Sequence, residues 1–179
     1  MSNAYSDCVN LTQAICGNNV INMSNTYEGC HNLIQAVCGS NVIDMNGAYR
    51  YCNNLIQTIC GINVIYMSDT YEGCHNIIQA VCGPNVIDLS SAYAHCNNLL
   101  YPTCGPNVKY MDGTYFQCLH LIGPPSCGNN VINMERTYYG CRNLTGKAAC
   151  GNNVINMNYT YYGCQNLTQA ACGDNVINM

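Results

Sequence analysis

Charge is what this chain has least of. Only 8% of its 179 residues are Asp, Glu, Lys or Arg, against roughly a quarter in ordinary globular domains. The net charge of −4 comes from few groups, and no basic stripe runs through the sequence. Neither nucleic acid nor an anionic membrane is an expected partner. No apolar run approaches the roughly 18 residues that a membrane-spanning helix needs. No signal peptide is visible, although Met1 falls on a repeat position. The apolar fraction, 49%, is ordinary, so Asn, Thr, Ser, Gln and Tyr must supply the wetted surface.

Self-similarity is what the chain has most of. The stretch Met23–Asp44 returns almost letter for letter at Met67–Asp88 and in looser form elsewhere. Cutting at the recurrent Met gives units 1–22, 23–44, 45–66, 67–88, 89–110, 111–133, 134–156 and 157–178, with Met179 opening another. A period of this length marks a solenoid in which each unit buries its apolar face on its neighbours. The expected organisation is therefore one solenoid over 1–179, with no linker. The two longer units carry their extra residue between the recurrent Leu and the second Cys. Pro102, Pro124 and Pro125 lie in that same segment, where the sheet should be weakest because proline brings no N–H.

The second unit shows the recurrent positions as Met23, Tyr27, Cys30, Leu33, Ala36, Cys38 and Val42. Steps of three and four suit an irregular or helical arc, and the single step of two, Ala36 to Cys38, marks a short strand with alternate side chains facing in. The expected core row is Val20, Met23, Tyr27, Cys30, Leu33, Ala36 and Cys38. Gly39 then turns the chain, and Asn41 should occupy the turn or bond its own backbone. Of the pair Val42–Ile43, Val42 should face in. Lys109 stands at the position of Ile43 in the fifth unit and would not be tolerated inside.

Read together, Val20-x-x-Met23-x-x-Thr26-Tyr27-x-x-Cys30-x-x-Leu33-x-x-Ala36-x-Cys38 resembles the unit of the BspA-like leucine-rich repeats. Two departures are systematic: Tyr replaces the family's Phe, and Cys-Gly replaces its usual Ile-Pro. The resemblance covers all eight units. It implies a repeat solenoid, a right-handed coil with short parallel strands on one face and turns or short helical arcs on the other. It also implies surface adhesion or protein recognition in an extracellular or surface-exposed setting, and similar repeats occur in phage-encoded proteins.

The 16 cysteines and 4 histidines invite a chemical reading. If Leu33–Cys38 is extended, it spans roughly 16 Å, and Cys30 lies further back still. A bridge inside one unit is therefore disfavoured, since a disulfide needs Cα atoms within about 7 Å. Free thiols acting as small buried hydrophobes are the first expectation, and a disulfide framework stays open for an extracellular protein. The histidines (His31, His75, His95 and His120) sit beside cysteines, but His31 and His75 are two units, about 10 Å, apart. No metal site is expected, and no cofactor. A buried thiol is inert and no charged group recurs beside it, so no catalytic residue and no enzyme are expected. Glu28 and Glu72 should lie on the solvated convex face. The sequons at Asn10, Asn22, Asn143, Asn158 and Asn166 are what chance yields in a chain so rich in Asn and Thr.

The outward side of the strand is the informative surface. Gln13, Ile15, Ile34, Gln35, Val37, Ile56, Gln57, Ile59, Ile78, Gln79 and Val81 form a candidate binding face, a glutamine ladder flanked by apolar rows. Local twist could instead tuck one row inward. From Tyr101 onward the face changes to Thr, Gly, Pro and Ala, so the candidate surface belongs to the first half. If both rows are outside, the strip suits sheet-to-sheet packing. The terminal units are as regular as the internal ones, which suggests head-to-tail stacking or membership of a longer array. The leading expectation is a non-enzymatic protein of surface interaction or assembly, fibre- or adhesin-like, whose partner is itself or another protein. Recognition of a protein or glycan on the concave face is the alternative. Ice binding is a third reading, weakened because no Thr-x-Thr pair recurs on the strand. Thr instead alternates with Ala beside the core Tyr.

Overall fold

The computed structural model describes residues 1–124 and 127–179 and is a stack of similar coils. Among the described residues there is no helix, and the other side of each coil is built of turns. Four short strands occur: β1 (Gln13–Ile15), β2 (Gln35–Val37), β3 (Gly146–Ala148) and β4 (Leu167–Ala170). β1 and β2 pair in parallel with Gln13 opposite Gln35 and Ile15 opposite Val37. β3 and β4 pair likewise, with a register shift between Gly146 and Lys147.

The continuous ladder lies elsewhere, in the turns. N–H groups of Met23, Asn25, Tyr27 and Gly29 donate to the carbonyls of Asp44, Asn46, Ala48 and Arg50, all one repeat ahead, at 2.8–2.9 Å. Met45, Gly47, Tyr49 and Tyr51 repeat the pattern onto Tyr66, Ser68, Thr70 and Glu72. Single parallel bridges run alongside from Asn22 through Asp44, Tyr66, Asp88, Tyr110, Asn133 and Asn156 to Asn178. Such a ladder requires every second N–H to point the same way along a turning chain, which is met by successive tight turns with a left-handed residue at every fourth position of the arc. Two positions in each unit are left-handed, as in Asn25 (φ 51°) and Gly29 (φ 72°). Glycine, Asn and Asp enter that region at least cost. At Gly73 a side chain is also excluded by its neighbour, because a Cβ would lie 2.5 Å from the Tyr51 ring.

The core is the set of rows expected from recurrence. Met45, Tyr49, Cys52, Leu55 and Val64 are wholly buried, as are their equivalents in the next units. Tyr5, Tyr27, Tyr49, Tyr71, Tyr93, Tyr115, Tyr138 and Tyr161 stack in one column, with ring centroids 5.4–5.9 Å apart and planes within 17° of parallel. Val42 is buried while Ile43 is exposed, as Lys109 indicated. Two members of the expected row are less enclosed. Cys38 is half-buried at the rim, and Val20 is half-buried in the first unit.

Asn41 occupies the turn that Gly39 opens, as expected, with the Val42 N–H closing onto the Gly39 carbonyl at 3.3 Å. Its side chain does not bond its own backbone; Nδ2 donates to the carbonyl of Asn18 in the preceding unit at 2.8 Å. One local expectation is corrected: the loss of the strand ladder is wider than the prolines explain. Ladder pairing between strands ends with Val37, well before Pro102, and only the bridge Gln79–Tyr101 replaces it through Gly123. Pro125 lies outside the described residues.

Because Leu55 is wholly buried and Gln57 exposed, Leu55→Ala is expected to lose about 2–5 kcal/mol of stability. Gln57→Ala should stay within about 0.5 kcal/mol of the parent. Denaturant titration of the pair checks the facing of the strand, and the reverse order would invert it.

Candidate interaction surfaces

The candidate face is built on the strand segments and their unpaired equivalents. In β1 and β2, Ala14 and Ala36 point inward, which sends Gln13, Ile15, Gln35 and Val37 to solvent. Ile15 is 73% exposed, Val37 54% and Ile34 44%. Ile56 and Ile78 continue the strip at 53% and 56%, beside exposed Gln57 and Gln79. The structure thus gathers nine of the eleven candidate residues on one open face. Ile59 and Val81 depart from it and are half-buried, with Ile59 packed on the core.

A buried hydroxyl causes that departure. In the third unit, the N–H of Ile59 donates to Tyr71 Oη at 2.9 Å, and the same hydroxyl donates back to the Ile59 carbonyl. Tyr93 grips Val81 in the same way, and Tyr115 grips Thr103. Each hydroxyl takes both backbone polar groups of one residue, so the segment leaves the strand ladder and draws toward the core. In the second unit the Val37 carbonyl instead accepts from the Cys16 N–H. Tyr49 Oη, its tyrosine counterpart, is buried without a partner among the described residues.

All 16 cysteines are unbridged. The first cysteine of a unit directs its Sγ at the carbonyl of the preceding unit's core tyrosine, as in Cys52 to Tyr27 at 3.1 Å and Cys74 to Tyr49 at 3.0 Å. The second lies at the rim, where Cys60 contacts Met67 Sδ at 3.5 Å. Burial pushes Cys60 and Cys127 up from the ordinary 9.0 to about 11 and Cys82 to about 12. These three are thus neither nucleophiles nor ready ligands at neutral pH. Among the described residues no group of three or more His, Cys, Asp and Glu converges on a point. His31, His75 and His120 each place Nδ1 2.8–2.9 Å from a backbone carbonyl of an adjacent unit, so that nitrogen carries the proton.

The position after the core tyrosine forms a row that changes character along the stack. Glu28 and Glu72 are half-buried there, bridged by Arg50, whose Nε is 2.6 Å from Glu72. Further on the same row holds Phe116, Tyr139 and Tyr162, stacked at 4.9 Å. The threonine row beside the core tyrosine is internal. Thr70 is wholly buried and donates to the Met45 carbonyl at 2.9 Å, so it offers no surface to ice.

One surface went unread in the sequence. Ile21, Ile43, Ile65, Ile87 and Lys109 form one wall of an open groove of about 810 Å3, and Asn41, Asn63, Asn85, Asn107 and Asn130 form the other. The signal was present, since Asn-Val-Ile recurs and an inward Val leaves both of its neighbours outside.

Solved structures identify the class of fold. A leucine-rich repeat protein of T. pallidum superposes with a TM-score of 0.57 at 18% identity, over 93% of this chain and 69% of that one. A leucine-rich repeat protein of Bacteroides ovatus gives 0.53 at 13% identity, over 99% of this chain and 65% of the other. The fold is therefore the leucine-rich-repeat solenoid that the BspA-like resemblance implied. No family model matches the sequence, and no curated protein does.

Two measurements follow from these contacts. Tyr71→Phe leaves the Ile59 backbone groups unpaired and should cost about 1–3 kcal/mol. Tyr49→Phe removes a hydroxyl that has no bond to lose, and should be neutral or stabilising. The thiols set a pH dependence. Their folded values lie above 9.0, so the unfolded chain releases protons first and stability falls as pH rises from about 9 toward 11–12. Thermal melts across that range should show a falling midpoint, with no such loss below pH 8.

Proposed function

We propose that this chain is a non-catalytic interaction and assembly module, with the strand face of its first four units as the contact surface. The observation that carries the reading is the exposed apolar strip Ile15, Ile34, Val37, Ile56 and Ile78 beside a row of glutamines. A strip this continuous is more than scattered surface residues produce and is the mark of a contact surface. The glutamines keep it soluble and can ladder with amides of a partner sheet.

Self-assembly is the mode the surface chemistry favours. With 8% charge overall, two copies meet with little repulsion. Display at a cell or particle surface is the setting that the resemblance to BspA-like repeats suggests.

The test is particle size, by light scattering and negative-stain microscopy. The parent should form species that grow with concentration. Replacing Ile15, Val37, Ile56 and Ile78 by Lys should abolish the sheet-to-sheet species without shifting the melting midpoint by more than a few degrees. A parent of single-chain size at every concentration, or a variant that assembles equally well, sinks the reading.

A further inference from the structure

The flank groove has a chemistry of its own, distinct from the strand face. Its apolar wall is one side chain wide, because Ile43 and Asn41 are separated only by inward-facing Val42. Its polar wall is a row of amides in fixed orientation. Asn41, Asn63, Asn85 and Asn107 each donate one N–H to a carbonyl of the preceding unit at 2.8–3.0 Å. Each amide keeps a second N–H and its carbonyl oxygen facing solvent, a donor and an acceptor side by side. Such an amide is complementary to itself.

Two dimensions choose the occupant. Notches repeat at the spacing of the units, about 4.8 Å where parallel bridges run directly beside the isoleucines, from Asn22 through Asp44 and Tyr66 to Asp88. An extended peptide along the groove presents same-face side chains about 6.7 Å apart and slips out of phase. An α-helix has a pitch near that spacing but a diameter of about 10–12 Å, too broad for walls two residues apart. A row of single side chains at the groove's own period, flanked by self-complementary amides, is what this chain itself presents.

We propose that the flank groove is a homotypic interface, in which the isoleucine row of each of two copies seats in the groove of the other. Lys109 sets the orientation. It takes the isoleucine place in the fifth unit, and a parallel pair would press it against its own copy. An antiparallel pair related by a two-fold axis sets Ile21 against Ile87 and Ile43 against Ile65, and leaves Lys109 beyond the paired segment. The contact is isologous, so it closes as a dimer. It is independent of the strand face.

A charge-swap pair tests the interface and its direction. Ile43→Lys copies a residue the chain already carries at the equivalent Lys109, so the fold has a precedent for it; Ile65→Glu is its counterpart. Alone, each variant should dimerise roughly 30-fold or more weakly than the parent in sedimentation equilibrium, since a charge enters an apolar contact. Mixed one to one, they should recover a mixed dimer, because the introduced lysine of one chain then faces the introduced glutamate of the other. Ile155→Lys, on the same row outside the groove, should leave dimerisation unchanged, and so should the strand-face substitutions. A parent that stays monomeric at millimolar concentration overturns the proposal without any variant. With the strand face silenced by its four Lys substitutions, a dimer that survives Ile43→Lys overturns the interface. Variants that fail to recover on mixing overturn the antiparallel pairing.

Discussion

In a stack of turns every second N–H of the arc must find its partner one repeat away, while those between close turns within the unit, as Thr26 N–H does onto Met23. The rest of this structure follows from that requirement. It fixes the left-handed residues at two positions of each coil, as in Asn25 and Gly29. It also holds successive tyrosine rings 5.4–5.9 Å apart, so that any residue type placed at a recurrent position meets itself. For apolar rows the encounter is favourable. For charges it is not, since like charges about 5 Å apart repel by about 0.8 kcal/mol even at the dielectric constant of water. The scarcity of charge follows. In one row charges alternate, as Glu28, Arg50 and Glu72 do; where Asp112 and Glu135 follow each other in another, each carboxylate accepts from an asparagine amide, Asn133 and Asn156.

Most of the fold was legible because recurrence and burial are the same thing in a solenoid. Met, Tyr, Cys, Leu and Val recur because each fills an enclosed column that admits only close relatives, such as Leu89 for Met and Ile77 for Leu, and Lys109 alone decided which of Val42 and Ile43 faces in. The position of the main ladder was not legible. Periodicity marked the step from Ala36 to Cys38 as the strand, whereas the bonds that run through the stack lie in the arc that begins at Met23. The frequent Gly, Asn and Asp at the positions of Asn25 and Gly29 carried that information, as residues that tolerate left-handed backbone. Gln13, Ile15, Gln35, Val37, Gln57 and Gln79 sit where alternation put them, and Ile34, Ile56 and Ile78 are exposed although they share the parity of the inward residue two positions on. Ile59 and Val81 leave that face, because a tyrosine hydroxyl from twelve residues ahead captures their backbone, and alternation alone has no view of that contact.

The two cysteine columns show how one residue type serves two environments. From Cys30 to Cys141 the inner column is wholly enclosed, and a thiol such as Cys52 or Cys74 gives a buried tyrosine carbonyl a weak donor that an alanine or valine would not. The outer column lies at the rim, where sulfur meets methionine sulfur or the backbone of the next turn, as Gly151 N–H does with Cys127 at 2.9 Å. Both roles need a small, polarizable group that can be buried without demanding a strong partner.

The lone hydroxyl of Tyr49 marks the place where two modes of the same lattice meet. Before it, the strand peptides bond to each other. From Ile59 to Thr103 they bond to tyrosine, until β3 and β4 pair again, and Tyr49 belongs fully to neither mode. In a one-dimensional array of near-identical units, such a boundary is a domain wall. Its position is set by a small difference between neighbouring cells rather than by the array as a whole. A ligand that favours the paired strands would push the wall toward the later units, and one that favours the gripped form would draw it back. The stack could in that way register, several units away, what is bound at one end of its face.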